Sequence, residues 1–292
     1  MDISVIIVNY NTCQMTWDCI KSVFENTIGI TFEIILVDNA STDGSKEFFS
    51  DEDRIIYIYN SKNVGFGRAN NIGMKEAKGE YYFLLNSDTI LQNNALKEFY
   101  DFAEARSEKS FYGCWLKGRD GDYTHSGDPI PTIKSLLWNL CKSYIPGRYQ
   151  GDGAIHYSDK ELYKIGYVTG ADMFFHHSIF DETGGFDENF FMYFEESDWQ
   201  RTAVKSGYNS FIIHGPDIVH YEGASQLGLK KQKMNIPKFR RKMKSEFYYV
   251  KKEYSLFSYC IYRIMIVILY TPKLLIGKSQ STEAIKSLFM SL

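Results

Sequence analysis

Tyr81-Tyr82-Phe83-Leu84-Leu85-Asn86-Ser87-Asp88 is the stretch whose reading decides the fold. Its five leading apolar residues read as a buried strand. The next three deliver a carboxylate, Asp88, to the carboxyl end of a central strand, where open α/β sheets place their ligands. One aspartate alone says little. Far downstream lie Glu195-Glu196-Ser197-Asp198 and then His220. Together these residues offer an oxygen ligand, a nitrogen ligand and a carboxylate base, the set a metal-assisted group transfer requires.

Outward from that strand the chain alternates. Residues 3–8 form a β-branched apolar run, 13–26 place Ile20, Val23 and Phe24 at helical spacing, and 32–37 read as a second strand. A helix over 43–50 with its cap near Ser41 or Thr42, a strand over 54–58 and a helix over 66–77 precede the strand at 81–85. This alternation predicts an α/β fold with a Rossmann-like, doubly wound, mostly parallel sheet. Right-handed crossovers then gather the loops after the strands along one edge. A helix over 94–105 and a strand over 111–116 follow. Residues 117–165 are rich in Gly, Asp, Tyr and Pro, with a short helical stretch at 133–141, and read as an insertion over the active edge, suited to acceptor recognition. Residues 194–206 look helical, 210–213 and 217–220 look like short strands, and the chain is expected to be helical from about 235 with a break near Pro272. The expected division is a catalytic domain over 1–228 and a basic, apolar helical tail over 229–292.

Composition bounds the reading. The chain has 292 residues, 44% apolar and 16% aromatic, enough for one large α/β domain with an appendage. Its 22 Tyr and 21 Phe build cores and also line sugar or lipid sites. The five cysteines lack metal-ligand spacing and suggest reduced thiols of a cytosolic protein. Met1-Asp2-Ile3-Ser4 carries no basic leader, so no signal peptide is expected. The net charge of −3 hides an asymmetry: between Lys230 and Lys252 stand ten Lys or Arg and one acid, Glu246. An apolar, aromatic run over 256–270 follows. Basic and then apolar is the order expected of a segment lying on an anionic membrane face. The basic run lacks a nucleic-acid reading motif, so no nucleic-acid partner is expected.

Several motifs sit on the predicted ligand edge. The first strand ends in Asn9-Tyr10-Asn11 and the second in Asp38-Asn39-Ala40-Ser41-Thr42-Asp43-Gly44-Ser45. Asp38 can accept from a base N–H and Tyr10 can pack on a base ring, while turn and cap chemistry explains the same residue types. Asn63-Val64-Gly65-Phe66-Gly67-Arg68 opens a helix whose N–H groups suit a phosphate, and Arg68 either pairs with a diphosphate or sits solvated. Glu195, Glu196 and Asp198 at a helix start complement its dipole, but two adjacent carboxylates repel. One that points into an aromatic cleft would have a raised pKa, useful in a base. An Asp and His metal set, Asp88 and His220, suits Mn2+ better than Mg2+.

Taken together, Val8-Asn9-Tyr10-Asn11, Val37 to Ser45, Asn63-Val64-Gly65-Phe66, Asn86-Ser87-Asp88, Gly170-Ala171, Gly185-Phe186-Asp187-Glu188 with Phe190-Phe191, and His220-Tyr221-Glu222-Gly223-Ala224-Ser225 resemble the inverting family 2 glycosyltransferases of the GT-A fold, rhamnosyltransferase-like branch. The resemblance covers about residues 4–225. It implies donor binding by Asn9, Tyr10, Asn11, Asp38, Asn63, Gly65, Phe66, Arg68, Asn86, Ser87 and Asp88, with Asp38 on the nucleobase. It implies acceptor binding by Gly170, Ala171, Asp172, Phe190, Phe191 and Trp199. Asn86-Ser87-Asp88 stands where the family has Asp-x-Asp, leaving Asp88 as main carboxylate ligand, with His220 the second metal residue. Glu195-Glu196 matches a Glu-Asp pair whose second member is the base, with Glu195 and Asp198 as reserves.

The implied partners are a nucleotide-diphosphate sugar, of rhamnose or another hexose, and a glycan or lipid-linked glycan acceptor in cell-surface polysaccharide synthesis. A non-catalytic sugar-nucleotide or glycan-binding protein on this scaffold and a nucleotide-sugar hydrolase stand as alternatives. A homodimer is compatible. The tail is expected to hold the protein peripherally on the cytoplasmic face of the plasma membrane without spanning it. Arg263 would reach the headgroups while Ile261, Ile264, Val267 and Ile268 face acyl chains; the alternative is a helix packed on protein.

Overall fold

The structure, a computed structural model, describes residues 1–142, 157–221 and 236–276. The amino-terminal alternation forms as expected: β1 (Ile3–Asn9), α1 (Cys13–Asn26), β2 (Phe32–Asp38), α2 (Ser45–Phe49), β3 (Ile56–Tyr59), α3 (Phe66–Glu76) and β4 (Tyr81–Asn86). Then come β5 (Thr89–Leu91), α4 (Ala95–Glu104), β6 (Ser110–Cys114), β7 (Gly127–Asp128), α5 (Ile133–Lys142), β8 (Leu162–Ile165), β9 (Tyr167–Val168) and β10 (Asp172–His176). They are followed by α6 (His177–Thr183), α7 (Glu195–Lys205), β11 (Asn209–Ile213), β12 (Ile218–His220), α8 (Ile236–Glu253) and α9 (Leu256–Ile276).

Eight strands form one sheet in the order β3-β2-β1-β4-β10-β6-β11-β8. β1 pairs in parallel with β2 and β4, β2 with β3, and β6 with β11. β10 runs antiparallel to β4 and β6. The chain winds outward from β1 to β3 and then returns to set β4 on the other side of β1. The carboxyl ends of β1 and β4 therefore flank a topological switch point, where Val8 pairs with Asn86 and Asn9 with Asp38.

Strand alternation feeds both faces. Val5, Ile7, Phe83 and Leu85 pack with Ile20 and Val23 of α1 and Phe99 of α4. Ile6, Tyr82 and Leu84 pack on the opposite face with Met74, Ile179 and Trp199. Runs buried on both faces read as continuous apolar stretches, which is why 81–85 shows no polar alternation.

The carboxyl-terminal part differs from expectation in one respect. α9 continues through Pro272, and the break falls instead at Tyr254 and Ser255. Ser255 ends α8 and caps α9, its Oγ accepting from the Ser258 N–H at 3.2 Å. Pro272 removes a single donor near the end of α9, and the helix runs on around it. α5, from the insertion, joins α8 and α9 in one apolar cluster through Ile133, Leu136, Leu137 and Leu140.

Candidate functional site

β4 ends at the switch point, and a short ladder fixes what lies beyond it. β12 pairs with β5, opposing His220 to Thr89, and the Tyr221 N–H donates to the Asp88 carbonyl at 2.8 Å. Two residues 132 positions apart in sequence are thus set side by side: His220 Nε2 lies 3.2 Å from Asp88 Oδ1, with both side chains mostly buried. Asn86 Nδ2 is 3.4 Å from the same ring nitrogen. Ser87 Oγ lies 3.2 Å from Thr12 Oγ1. Among the described residues no group of three or more His, Cys, Asp or Glu gathers for a metal. A pair with one oxygen and one nitrogen fits a cation whose remaining positions are filled by a bound diphosphate and water. Glu222 to Ser225, the rest of the His220 motif, lie outside the described residues.

The other expected donor residues serve largely as bracing. Asn9 is fully buried; its Oδ1 accepts from the Thr12 N–H and Oγ1 and from Thr16 Oγ1. Asp38 is fully buried, accepting from the Ser41 N–H at 2.7 Å and from the Tyr57 hydroxyl at 3.0 Å. As it stands, the Asp38 carboxylate has no open side for a base, because turn chemistry has claimed it. Asn11, in left-handed backbone at φ 55, accepts from the Thr42 N–H at 2.7 Å, tying the loops after β1 and β2 together. Tyr10 is 47% exposed and open to a ring.

The phosphate expectation for the 63–66 loop is corrected as well. Val64 N–H donates to Asn39 Oδ1, Gly65 N–H to Asn63 Oδ1, and Phe66 N–H to the Phe191 carbonyl. Three successive donors are consumed within the protein. Gly65 is required at this crossing: its φ is +92, and a Cβ would stand 2.4 Å from the Phe191 carbonyl oxygen. Arg68 pairs with Glu188 at 3.2 Å, both half exposed.

α7 opens with the acids. Tyr193 and Phe194 precede it in left-handed backbone, φ 75 and φ 70, uncommon for residues with a Cβ. Strain of this kind clusters at functional sites. Glu195 is buried, its Oε2 has no hydrogen-bond partner, and burial together with the neighbouring Glu196 charge holds its pKa well above the ordinary value. Glu196 is partly exposed. Burial also raises its pKa, against its own N–H, the Gly170 N–H and the positive side of His125. Gly170 leaves room for it: a Cβ there would come within 3.3 Å of Glu196 Oε1 and 2.7 Å of the Phe66 ring. Next to Gly170, the Ala171 carbonyl accepts from the Asn86 N–H at 3.0 Å, which links the base side to the β4 end. Asp198 is not a free reserve: Lys252 Nζ sits 2.7 Å from its Oδ2.

Three acceptor expectations are overturned by burial. Trp199 is 1% exposed, stacked edge-on against Phe111, Phe175 and Phe186, with its N–H on Thr183. Phe190 is fully buried against Tyr248 of α8. Asp172 is fully buried and accepts from the Cys114 N–H at 2.6 Å; burial pushes its pKa up to about 7. Gly170 and Ala171 are buried as well, and of the expected acceptor residues only Phe191, 37% exposed, reaches the surface. Sequence reading missed His125, whose Nε2 lies 2.8 Å from Asp128 and whose ring acts on Glu196. It also missed Asn39, which braces the 63–65 loop, and Lys252. The signal for His125 was faint: a histidine in a Gly- and Asp-rich segment without periodicity.

Hexosyltransferase Agl10 of low-salt glycan biosynthesis in Haloferax volcanii is 26% identical over 230 residues, 77% of this chain and 69% of its own. Glycosyltransferase GlyG of Streptococcus pneumoniae is 30% identical over 124 residues, and the match spans only 41% of either chain. Mannosyltransferase PcManGT from Pyrobaculum calidifontis, solved with GDP-Man and Mn2+, superposes with a TM-score of 0.56 at 16% identity, covering 99% of this chain and 73% of that one. S. aureus TarS 1-349 with UDP-GlcNAc gives 0.57 at 14% identity, covering 100% and 80%. At such identities the likeness is one of fold. Residues 4–184 match the family described as Glycosyl transferase family 2, and the chain belongs to that family.

Proposed function

We propose that this glycosyltransferase moves a hexose, with inversion, from a nucleotide-diphosphate donor to a hydroxyl of a glycan or lipid-linked glycan in surface polysaccharide synthesis. The observation that carries the reading is one backbone link, Asn86 N–H to the Ala171 carbonyl at 3.0 Å, which joins the strand end carrying the Asp88 and His220 pair to Gly170, beside which Glu196 Oε1 lies. Glu196 accepts the proton of the acceptor hydroxyl. That oxygen forms a bond to the anomeric carbon from the face opposite the leaving group, and the bond to the diphosphate oxygen breaks with its electron pair. No covalent intermediate with the enzyme is needed. Asp88 and His220 would hold a divalent cation, Mn2+ in preference to Mg2+ given the nitrogen donor. When bound, it supplies positive charge opposite the departing diphosphate. Tyr10 offers a ring face to the base, and Asp38 shapes the β2 loop through Ser41 and Tyr57. The Arg68 and Glu188 pair is exposed enough to exchange partners when a diphosphate arrives. The Mn2+ and nucleotide sugars named with the solved relatives support this donor class.

Glu196→Gln keeps the shape and removes the base. It should leave donor affinity within a few-fold and lower turnover by roughly 10²-fold. The acid limb of the wild-type kcat/KM profile should lie above 4.5, the ordinary glutamate value, since a base with raised pKa gains its proton earlier as pH falls. Product analysis over a panel of nucleotide sugars, with and without acceptor, reads both. Near-normal turnover in Glu196→Gln would assign the base elsewhere, and sugar release without acceptor would mark a hydrolase.

A further inference from the structure

The exposed face of α9 is apolar. Phe257 is 75% exposed, Ile264 60% and Ile268 63%, with Ile261 and Met265 beside them. Phe257, Ile261, Ile264 and Ile268 fall on one side of a helix. The opposite side is spoken for: Tyr262 and Ile266 are buried against α8, the Tyr262 hydroxyl donates to Glu246, and Val267 joins the same cluster. Arg263 turns off the stripe, its guanidinium donating to the Tyr259 hydroxyl at 3.0 Å and lying 4.8 Å over the Phe247 ring. Contiguous exposed apolar surface of this kind marks an interaction site.

Charge says what covers it. α8 carries seven Lys or Arg against two Glu. Neither acid is open to solvent charge: Glu246 is buried and accepts from the Tyr262 hydroxyl, and Glu253 pairs with Arg201 at 2.5 Å. Arg241, Lys242, Lys244 and Lys251 are exposed. Packed helices lie about 8–10 Å apart, so the axis of α8 runs within about a Debye length of α9, on which it packs. A second copy seated on the same stripe would bring two like-charged α8 helices together. We infer that α9 docks in the interface of an anionic lipid bilayer, with Phe257, Ile261, Ile264 and Ile268 toward the acyl chains and the α8 cations on the headgroups. Among the described residues no helix is long and apolar enough to cross a membrane.

Vesicle flotation of the full chain tests this. The protein should float with phosphatidylglycerol-containing vesicles, partition at least about tenfold less onto pure phosphatidylcholine, and be released by high salt. Ile264→Asp with Ile268→Asp should stay in solution while keeping its circular dichroism and melting temperature, since both side chains are exposed. Lys244→Glu with Lys251→Glu should weaken partition by roughly tenfold. Equal partition of all three proteins would overturn the docking. So would a dimer, seen by light scattering, that the double Asp variant dissociates while the wild type ignores vesicles; a second copy would then be the occupant.

Discussion

Desolvation distinguishes Glu195 from its neighbour more than sequence position does. Its Oε2 is buried without a partner, its Cβ lies 3.5 Å from where a Cβ on Gly67 would stand, and its carboxyl holds a proton well above the ordinary value of 4.5. A raised carboxyl is costless while protonated; stability is lost as pH rises from the ordinary value through the raised one. Glu195→Gln should therefore melt like wild type in acid and about 2–4 °C higher at neutral pH. Thermal denaturation across pH reads this, and a constant difference would show that the carboxyl does not titrate there. The Asp88 and His220 pair gives a second expectation. Asp88→Ala should abolish Mn2+-dependent stabilisation by a nucleoside diphosphate, and His220→Ala should weaken it; calorimetry showing metal dependence unchanged from wild type in both variants removes them as ligands. The nearness of Asp88 to His220 was legible because both close short strands on the ligand edge, while the roles proposed for them and for Glu196 await those tests. Asp38, Trp199 and Phe190 were misread because the same residue types cap turns and fill cores, and only burial separates those roles.

At the scale of elements, α8 acts on α7 and on the loop before it. Lys252 lies 2.7 Å from both Asp187 and Asp198, Ser245 donates to the Met192 carbonyl, and Phe194 packs on Tyr249. These contacts hold Tyr193 and Phe194 in left-handed backbone, a conformation that costs about 1–2 kcal/mol per residue. Lys252→Met should lower stability by roughly 1–3 kcal/mol, discounted from the buried-pair range because Lys252 is partly exposed. It should also lower turnover by loosening the entry to Glu196. Burial opposes ionisation of Asp187, yet Lys252 and Asn189 hold its pKa down to about 2 from 3.8. A depressed carboxyl stabilises above its ordinary value, so the gap between wild type and variant should narrow as pH falls from 3.8 toward about 2. Urea denaturation over that range checks it. The strand and helix alternation from β1 to β4 was readable because each segment carries its own periodicity. β10 was not, because an antiparallel insertion between β4 and β6 depends on partners distant in sequence. The bracing by α8 was equally hidden, since a basic helix looks solvated until its partners are known.

At the scale of the molecule, the reaction edge is assembled from distant parts of the chain. Residues 9–11 and 38–45 shape one side, 86–88 and 220 carry the proposed metal pair, 170 and 196 the proposed base, and 245–252 the clamp behind it. α9 packs on the clamp helix, so a membrane under α9 would present the edge at a set height and tilt to a lipid-linked acceptor. The left-handed turn at Tyr193 and Phe194 has a consequence in time as well. Amino-terminal segments can fold while later ones are still being made. The sheet and the Asp88 and His220 pair need only residues up to Tyr221, but the turn before Glu196 waits for Ser245, Tyr249 and Lys252 to leave the ribosome. On the proposed roles, a nascent chain therefore has its sheet, and even its donor side, before its base is aimed, and sugar transfer would begin only once the clamp has been synthesised.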